Sequence, residues 1–325
     1  MTKVVANDIF ICKKRDKFPY FCSLIELLMD IRSTTPYLIL ALGVVAVSFA
    51  AVLIKLCDAP FMAIAAYRLG IASLFFLSVA VARRVNPAKV FSRRDLCLAI
   101  FAGAFLSLHF ATWIASLKYT SVASSVVIVT AAPIFVALGA HFILKERISS
   151  ILVVGILVAV IGGMIIGLED LGKGNEPILG DLLALVGAIA IAGYYLIGRR
   201  IRARIATLPY VTVVFTTTAI ILIIVSIFTG VLFIGYPKNT YLLLVLIAFV
   251  PQVIGHTSIN WSLRYLSAIF VAVAILGEPI GATLLAYFII GETVTWLKVI
   301  GMTVILSGVY FALHAEIKAG FEVSP

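Results

Sequence analysis

SLKYTSVASSVVIVTAAPIFVALGAHFILKERISSILVVGILVAVIGG, residues 116–163, returns 146 positions later without a gap as SLRYLSAIFVAVAILGEPIGATLLAYFIIGETVTWLKVIGMTVILSGV, residues 262–309. Ser116-Leu117 matches Ser262-Leu263, Tyr119 matches Tyr265, Pro133 matches Pro279, and Phe142-Ile143 matches Phe288-Ile289. Glu146 pairs with Glu292, Gly155 with Gly301 and Gly162 with Gly308. Self-similarity at one fixed offset means two copies of one structural unit.

The unit is built for lipid. The chain of 325 residues is 63% apolar and 12% charged, a balance that would make a soluble protein aggregate. Apolar runs of roughly 20 residues, enough to cross ~30 Å of hydrocarbon, follow one another from Pro36 onward. Ten are expected, at about 36–56, 60–81, 96–117, 121–142, 149–168, 179–198, 208–230, 240–262, 267–289 and 295–315. A membrane β-barrel needs short alternating strands, and these runs are long and unbroken. The expected fold is an all-α integral membrane protein of ten transmembrane helices.

Cations orient it. With the N-terminus inside, nineteen Lys and Arg fall at the inner ends: Lys3, Lys13, Lys14, Arg15, Lys17, Arg32, Arg83, Arg84, Lys89, Arg93, Arg94, Lys145, Arg147, Arg199, Arg200, Arg202, Arg204, Arg264 and Lys318. Five fall outside (Lys55, Lys118, Lys173, Lys238 and Lys298), and Arg68 lies within a span. Such a bias places both termini in the cytoplasm. It also accounts for the net charge of +10 without a nucleic-acid partner.

Equivalent points in the two copies are five helices apart. Five is odd, so the copies cross the membrane in opposite senses. The charges agree: Lys145-Glu146-Arg147 is an inner turn, and its counterpart Gly291-Glu292-Thr293 has lost both cations. The organisation read from this is a tail at 1–35, a first repeat at 36–170, a second at 178–316, and a tail at 317–325. The first two helices of each copy do not align by eye. The basic N-terminal tail lacks a signal-peptide core and is read as a mobile segment that can lie on anionic lipid; a start at Met29 is the plainer alternative.

Recognisable catalytic chemistry is scarce. Cys12, Cys22, Cys57 and Cys97 have no metal-ligand spacing. Gly167 to Gly174 nearly spells a phosphate loop, but Gly174 stands where magnesium binding needs Ser or Thr, and two carboxylates would repel phosphate. The sequence therefore suggests no metal, cofactor, ATP site or enzymatic motif, and transport would be driven by gradients.

What remains are polar groups inside apolar helices, where an ionisable side chain costs about 2.5–3.5 kcal/mol and normally faces a cavity or a partner. Arg68, His109 and Glu278 all fall near the midplane, from helices 2, 3 and 9. Arg68 and Glu278 either meet a substrate or coupling proton, or pair with each other to lock helices together. Gln252, His256 and Asn260 fall at i, i+4 and i+8 of helix 8, on one face that continues to Arg264 and suggests an inner vestibule. Trp113 and Trp261, like Tyr194 and Tyr195, are interfacial anchors or walls for a flat substrate. Pro133 and Pro279 break their helices at equivalent points, as at many transporter binding levels. Gly163-x-x-x-Gly167, Gly277-x-x-x-Gly281, Gly301 and Gly308 are read as close-packing positions.

Residues 36–316 resemble the tandem EamA domains of the ten-helix drug/metabolite transporter superfamily. The resemblance rests on Trp113-x-x-x-Leu117-Lys-Tyr-Thr-Ser121, Pro133 and Lys145-Glu146-Arg147. In the second copy it rests on Asn260-Trp261-x-Leu263-Arg264-Tyr265-x-Ser267, Gly277-Glu278-Pro279 and Gly291-Glu292. It implies a metabolite carrier, often an exporter, of a prokaryotic inner membrane, with its cavity between the repeats near the bilayer centre. Two departures stand out: Lys145 replaces the usual small residue, and no carboxylate lies between Pro36 and Lys55 to carry the proton coupling of four-helix relatives. The resulting expectation is a secondary transporter of small organic metabolites such as amino acids or amphipathic compounds. The alternatives are a nucleotide-sugar or nucleotide carrier, or a non-transporting membrane scaffold or sensor.

Overall fold

The computed structural model describes residues 19–120, 125, 128–129, 131–146, 148–168, 176–291 and 293–319. The basic tail through Lys17, most of 121–130, Arg147, the Gly172-Lys173-Gly174 stretch and Glu292 lie outside the described residues. Among the described residues there is no strand. The reason is physical: lipid offers a backbone amide no partner, and a helix satisfies each amide within its own segment.

The helices are α1 (Pro19–Leu56), α2 (Phe61–Ala82), α3 (Arg93–Tyr119), α4 (Ala132–Leu144), α5 (Ser150–Gly167), α6 (Pro177–Arg202), α7 (Thr207–Phe228), α8 (Lys238–Ser262), α9 (Ala268–Ile290) and α10 (Trp296–Ala319). Eight are long and apolar enough to cross a membrane, counting only Thr34–Leu56 of α1; α4 and α5 are shorter apolar helices. Apart from α4, which begins at Ala132 where the sequence places a span from about 121, the spans fall within a few residues of the apolar runs in the sequence. One difference is that the backbone of α1 is helical from Pro19, well before Pro36, where the sequence places the first span.

Helix packing repeats the duplication. α3 packs on α6 as α8 packs on α1, α4 on α6 as α9 on α1, and α3 on α7 as α8 on α2. α2–α7 and α5–α10 are self-equivalent pairs. Swapping the two sets of five therefore preserves these pairings, including those of the first two helices of each set, whose sequences no longer show the relation. These are the two inverted repeats.

The α5–α10 seam shows why the glycines recur. A Cβ on Gly162 would lie 2.6 Å from the Ile305 nitrogen and 2.8 Å from the Gly301 oxygen; one on Gly301 would lie 2.8 Å from the Gly162 oxygen. Gly155 faces Gly308 and Ala312 in the same way, and Gly308 faces Ala159. Each glycine thus meets the repeat-equivalent of its neighbour, and only hydrogen fits between the backbones. Repeat equivalence also appears in the caps: Lys145 (φ 60°) and Gly291 (φ 78°) both end their helices in the left-handed region.

Three helices are irregular, among them α4, whose last residues, Ala140–Leu144, form a π segment. In α8, Lys238–Ile247 is α-helical, Ala248–His256 is a π segment containing Pro251, and Thr257–Ser262 returns to α. Proline has no N–H to give, and the wider turn absorbs the gap. α9 is broken between Ile275 and Glu278, with Pro279 in the first turn of Glu278–Ile290; Pro133 opens Ala132–Gly139 of α4 likewise.

The α5–α10 seam is directly testable. Gly162→Leu should cost about 1–3 kcal/mol by overpacking, read as a lower melting temperature in detergent. Gly70→Ala, where a Cβ meets nothing within 4 Å, should leave it unchanged or raise it.

Candidate functional site

Arg68 sits on α2 with only 3% of its surface exposed. A guanidinium keeps its proton in almost any setting, so its charge must be solvated by protein. Its Nε donates to Gln252 Oε1 on α8 at 2.7 Å, and the guanidinium carbon lies 4.7 Å over the Phe110 ring of α3. The π segment of α8 presents Gln252 here, so the break in that helix and the position of the charge belong together.

Around this pair the other polar groups gather. His256, one turn beyond Gln252, meets the Phe110 ring edge-on at 5.9 Å and lies within Coulombic reach of Arg68 and His109. His109 Nδ1–H donates to the Gly187 carbonyl of α6 at 2.9 Å, and its ring stacks on Trp113 at 5.8 Å with 9° between planes. Glu278 and Tyr195 are within Coulombic reach of Arg68. Glu278 forms no hydrogen bond or ion pair among the described residues and is only half-buried. The locking Arg68–Glu278 ion pair that the sequence left open is thus absent: the guanidinium is held by an amide.

Three buried polar atoms here have no partner among the described residues: Gln252 Nε2, His256 Nδ1 and Trp113 Nε1. The two halves both contribute, α2 and α3 from one, α6, α8 and α9 from the other.

Toward the basic end the polar row of α8 is packed shut instead of forming a vestibule. The Asn260 amide spans the Tyr194 hydroxyl, 2.8 Å from Oδ1 and 2.6 Å from Nδ2, and Nδ2 also donates to the His256 carbonyl at 2.6 Å. Arg202, counted in the sequence among the inner cations, is buried; its Nε donates to the Asn260 carbonyl at 2.9 Å and Nη2 to Thr207 Oγ1 at 2.6 Å. Asn260 therefore braces the helix that carries Gln252 and His256. Trp261 lies against Tyr265 at the helix end, with ring centroids 4.4 Å apart. Phe110 and Arg202 were not singled out from the sequence. Arg202 falls two turns beyond Tyr194 and Tyr195 on α6, a periodicity that could have marked it as internal.

At the same end, ion pairs join the halves. Arg199 Nε lies 3.3 Å from Glu146 Oε1, its Nη1 donates to the carbonyls of Leu263 (3.1 Å) and Arg264 (3.2 Å), and Arg204 meets Asp95 at 2.8 Å. Burial raises the Glu146 pKa above the usual carboxylate range, with Arg199 pulling it down. Leu263, Leu266 and the segment Ala268–Val273 are buried here, whereas Glu278–Ile290, leading to the other end, has no buried residue.

The sequence profile of the EamA-like transporter family matches residues 34–168 and again 178–313. An uncharacterized transporter of Clostridium kluyveri is 29% identical over 199 residues, covering 59% of this chain and 64% of that protein. The match thus spans less than two thirds of that relative. The uncharacterized transporter YyaM of Bacillus subtilis is 27% identical over 255 residues, covering 76% of this chain and 83% of that one. A solved structure titled "Crystal structure of protein" superposes with a TM-score of 0.75 at 18% identity, covering 87% of this chain and 99% of that one, a likeness of fold.

The brace at Asn260 sets a stability test. Asn260→Leu strands the Tyr194 hydroxyl and should cost about 1–3 kcal/mol, measured by thermal unfolding in detergent. His256→Leu, which removes an atom without a partner, should cost less.

Proposed function

The chain belongs to the EamA-like transporter family, and on that footing we propose that it is a secondary carrier of small organic metabolites. It works by alternating access, its two inverted halves rocking about the Arg68 cluster. One observation supports this most: a permanent charge and unsatisfied polar atoms lie deep between the halves, where a merely structural core would have paired them. Amino acids and amphipathic cations are both compatible cargo, because Arg68 can meet a carboxylate and Glu278 an ammonium. A nucleotide or nucleotide-sugar carrier would need more than one cation at the midplane. The positive-inside bias supports a cytoplasmic location for the basic end and both termini, and the family resemblance supports a prokaryotic inner membrane and export.

In this reading the cytoplasmic end is closed. The Glu146–Arg199 and Asp95–Arg204 pairs tie one half to the other, over a plug of Leu263, Leu266 and Ala268–Val273. The second segment of α9, none of whose residues is buried, leads to the other end, and Glu278 stands at its start.

Two measurements test this. In proteoliposomes, Glu278→Gln should lower solute transport at least about tenfold, the loss of ~1.4 kcal/mol of interaction, at unchanged melting temperature; wild-type rates would remove Glu278 from the mechanism. His256→Cys should react with aqueous thiol reagents, and complete resistance would favour a scaffold.

For the closed end, Glu146→Gln should speed modification of Leu266→Cys by an impermeant maleimide added to the cytoplasmic face, in a background lacking the native cysteines. Acidification should do the same in the parent. Glu146, held above the usual carboxylate range, takes up its proton as pH falls before an exposed glutamate would, and Arg199 then loses its charged partner. The pH effect should vanish in Glu146→Gln.

A further inference from the structure

The connection between α2 and α3 carries five cations, Arg83, Arg84, Lys89, Arg93 and Arg94, all of them exposed. Its backbone sets where they emerge. α2 is capped by Arg83, Arg84 turns the chain in the left-handed region at φ 54°, and the single helical turn Pro87–Val90 packs against α7. Asn86 Oδ1 accepts from the Lys89 amide at 3.3 Å, Phe91 is buried, and Ser92 caps α3. The nearby carboxylate, Asp95, is already spent: Oδ2 accepts from Ser92 Oγ at 2.9 Å, and Oδ1 pairs with Arg204 at 2.8 Å. None of the five cations has an ion pair or a side-chain hydrogen bond among the described residues. Arg204 adds a sixth from the second half, its side chain still 60% exposed.

The fold itself does not call for these charges. The matching connection of the second half, Thr229–Pro237, joins α7 to α8 and has no charged residue. Arg83 and Arg84 suit the negative end of α2, but Arg93 and Arg94 stand in the first turn of α3, where the helix dipole repels cations. Apolar surface is exposed alongside, with Val81 76% and Val90 45% exposed. The partner that matches carries both an anionic phosphate and hydrocarbon. We propose that this connection, together with Arg204, binds the headgroups of anionic phospholipids, with Val81 and Val90 against their acyl chains. Arginine forks give a phosphate two parallel hydrogen bonds, and cations clustered at a membrane surface each add attraction for anionic lipid. Because Arg204 belongs to the second half, a lipid held here touches both halves, at the end where Asp95–Arg204 and Glu146–Arg199 already join them. Such binding is independent of the cargo.

The experiment titrates the full chain in dodecyl maltoside with phosphatidylglycerol, phosphatidylcholine or inorganic phosphate and reads the melting temperature. Phosphatidylglycerol should raise it above the value in equal phosphatidylcholine, and inorganic phosphate at equal concentration should not. Arg93→Gln with Arg94→Gln, which relieves the conflict with the α3 dipole and should fold normally, should at least halve that rise. Arg83→Gln with Arg84→Asn should do the same, asparagine being at ease with a positive φ. Arg264→Gln with Lys318→Gln removes the same charge elsewhere at this end and should leave the rise intact. In the parent alone, native mass spectrometry after exchange into an equimolar mixture of the two lipids should retain phosphatidylglycerol preferentially. Equal retention, an equal rise with phosphatidylcholine or with inorganic phosphate, or an undiminished rise in both connection variants would each overturn the lipid surface. So would an equal loss in the Arg264 and Lys318 pair, which would reduce the effect to diffuse charge and leave the five cations only the orienting of the chain.

Discussion

A guanidinium cannot shed its charge, and hydrocarbon cannot solvate it. That constraint organises the interior of this protein. Arg68 stands on a helix of the first half, and the group that holds it, the Gln252 amide, stands on a helix of the second. The π segment that presents Gln252 is braced in turn by Asn260 through Tyr194 and Arg202, so the polar interior runs from α2 through α8 to α6 and α7. An amide is an unusual choice of partner for a buried cation. It solvates the charge without neutralising it.

The duplication places these groups between the halves. Because these helix pairings survive exchange of the two sets of five, equivalent surfaces meet, but their chemistry differs. Lys145 carries a charge where its equivalent, Gly291, carries none. The end that kept its cations also carries ion pairs between the halves, Glu146 with Arg199 and Asp95 with Arg204. Architectural symmetry is thus combined with chemical asymmetry between the two ends.

Much of this was legible in the residues. Fold class, number of spans and inversion came from the ungapped repeat and the apolar runs, because lipid leaves the backbone so few solutions. Arg68, His109, His256, Gln252 and Glu278 could be named because an ionisable or amide side chain amid Leu, Ile and Ala stands out. Their partners could not. That Arg68 would bond Gln252 and leave Glu278 free depends on which helices touch, and hydropathy does not carry that. The π segment defeated the simple reading of helix 8: a regular 3.6-residue turn predicts one open polar face, whereas Asn260 is consumed by Tyr194 and the His256 carbonyl. Arg202 hid among three neighbouring arginines whose location was explained by charge bias alone.

The seam between α5 and α10 has one more consequence. Its glycines meet across an axis that interchanges the halves, so exchanging the conformations of the two halves would present the same contact again. Such a contact is a natural spine, the same before and after that exchange. It is also a mutual recognition surface built into each half separately: polypeptides ending after α5 and beginning before α6 would each carry one side of it.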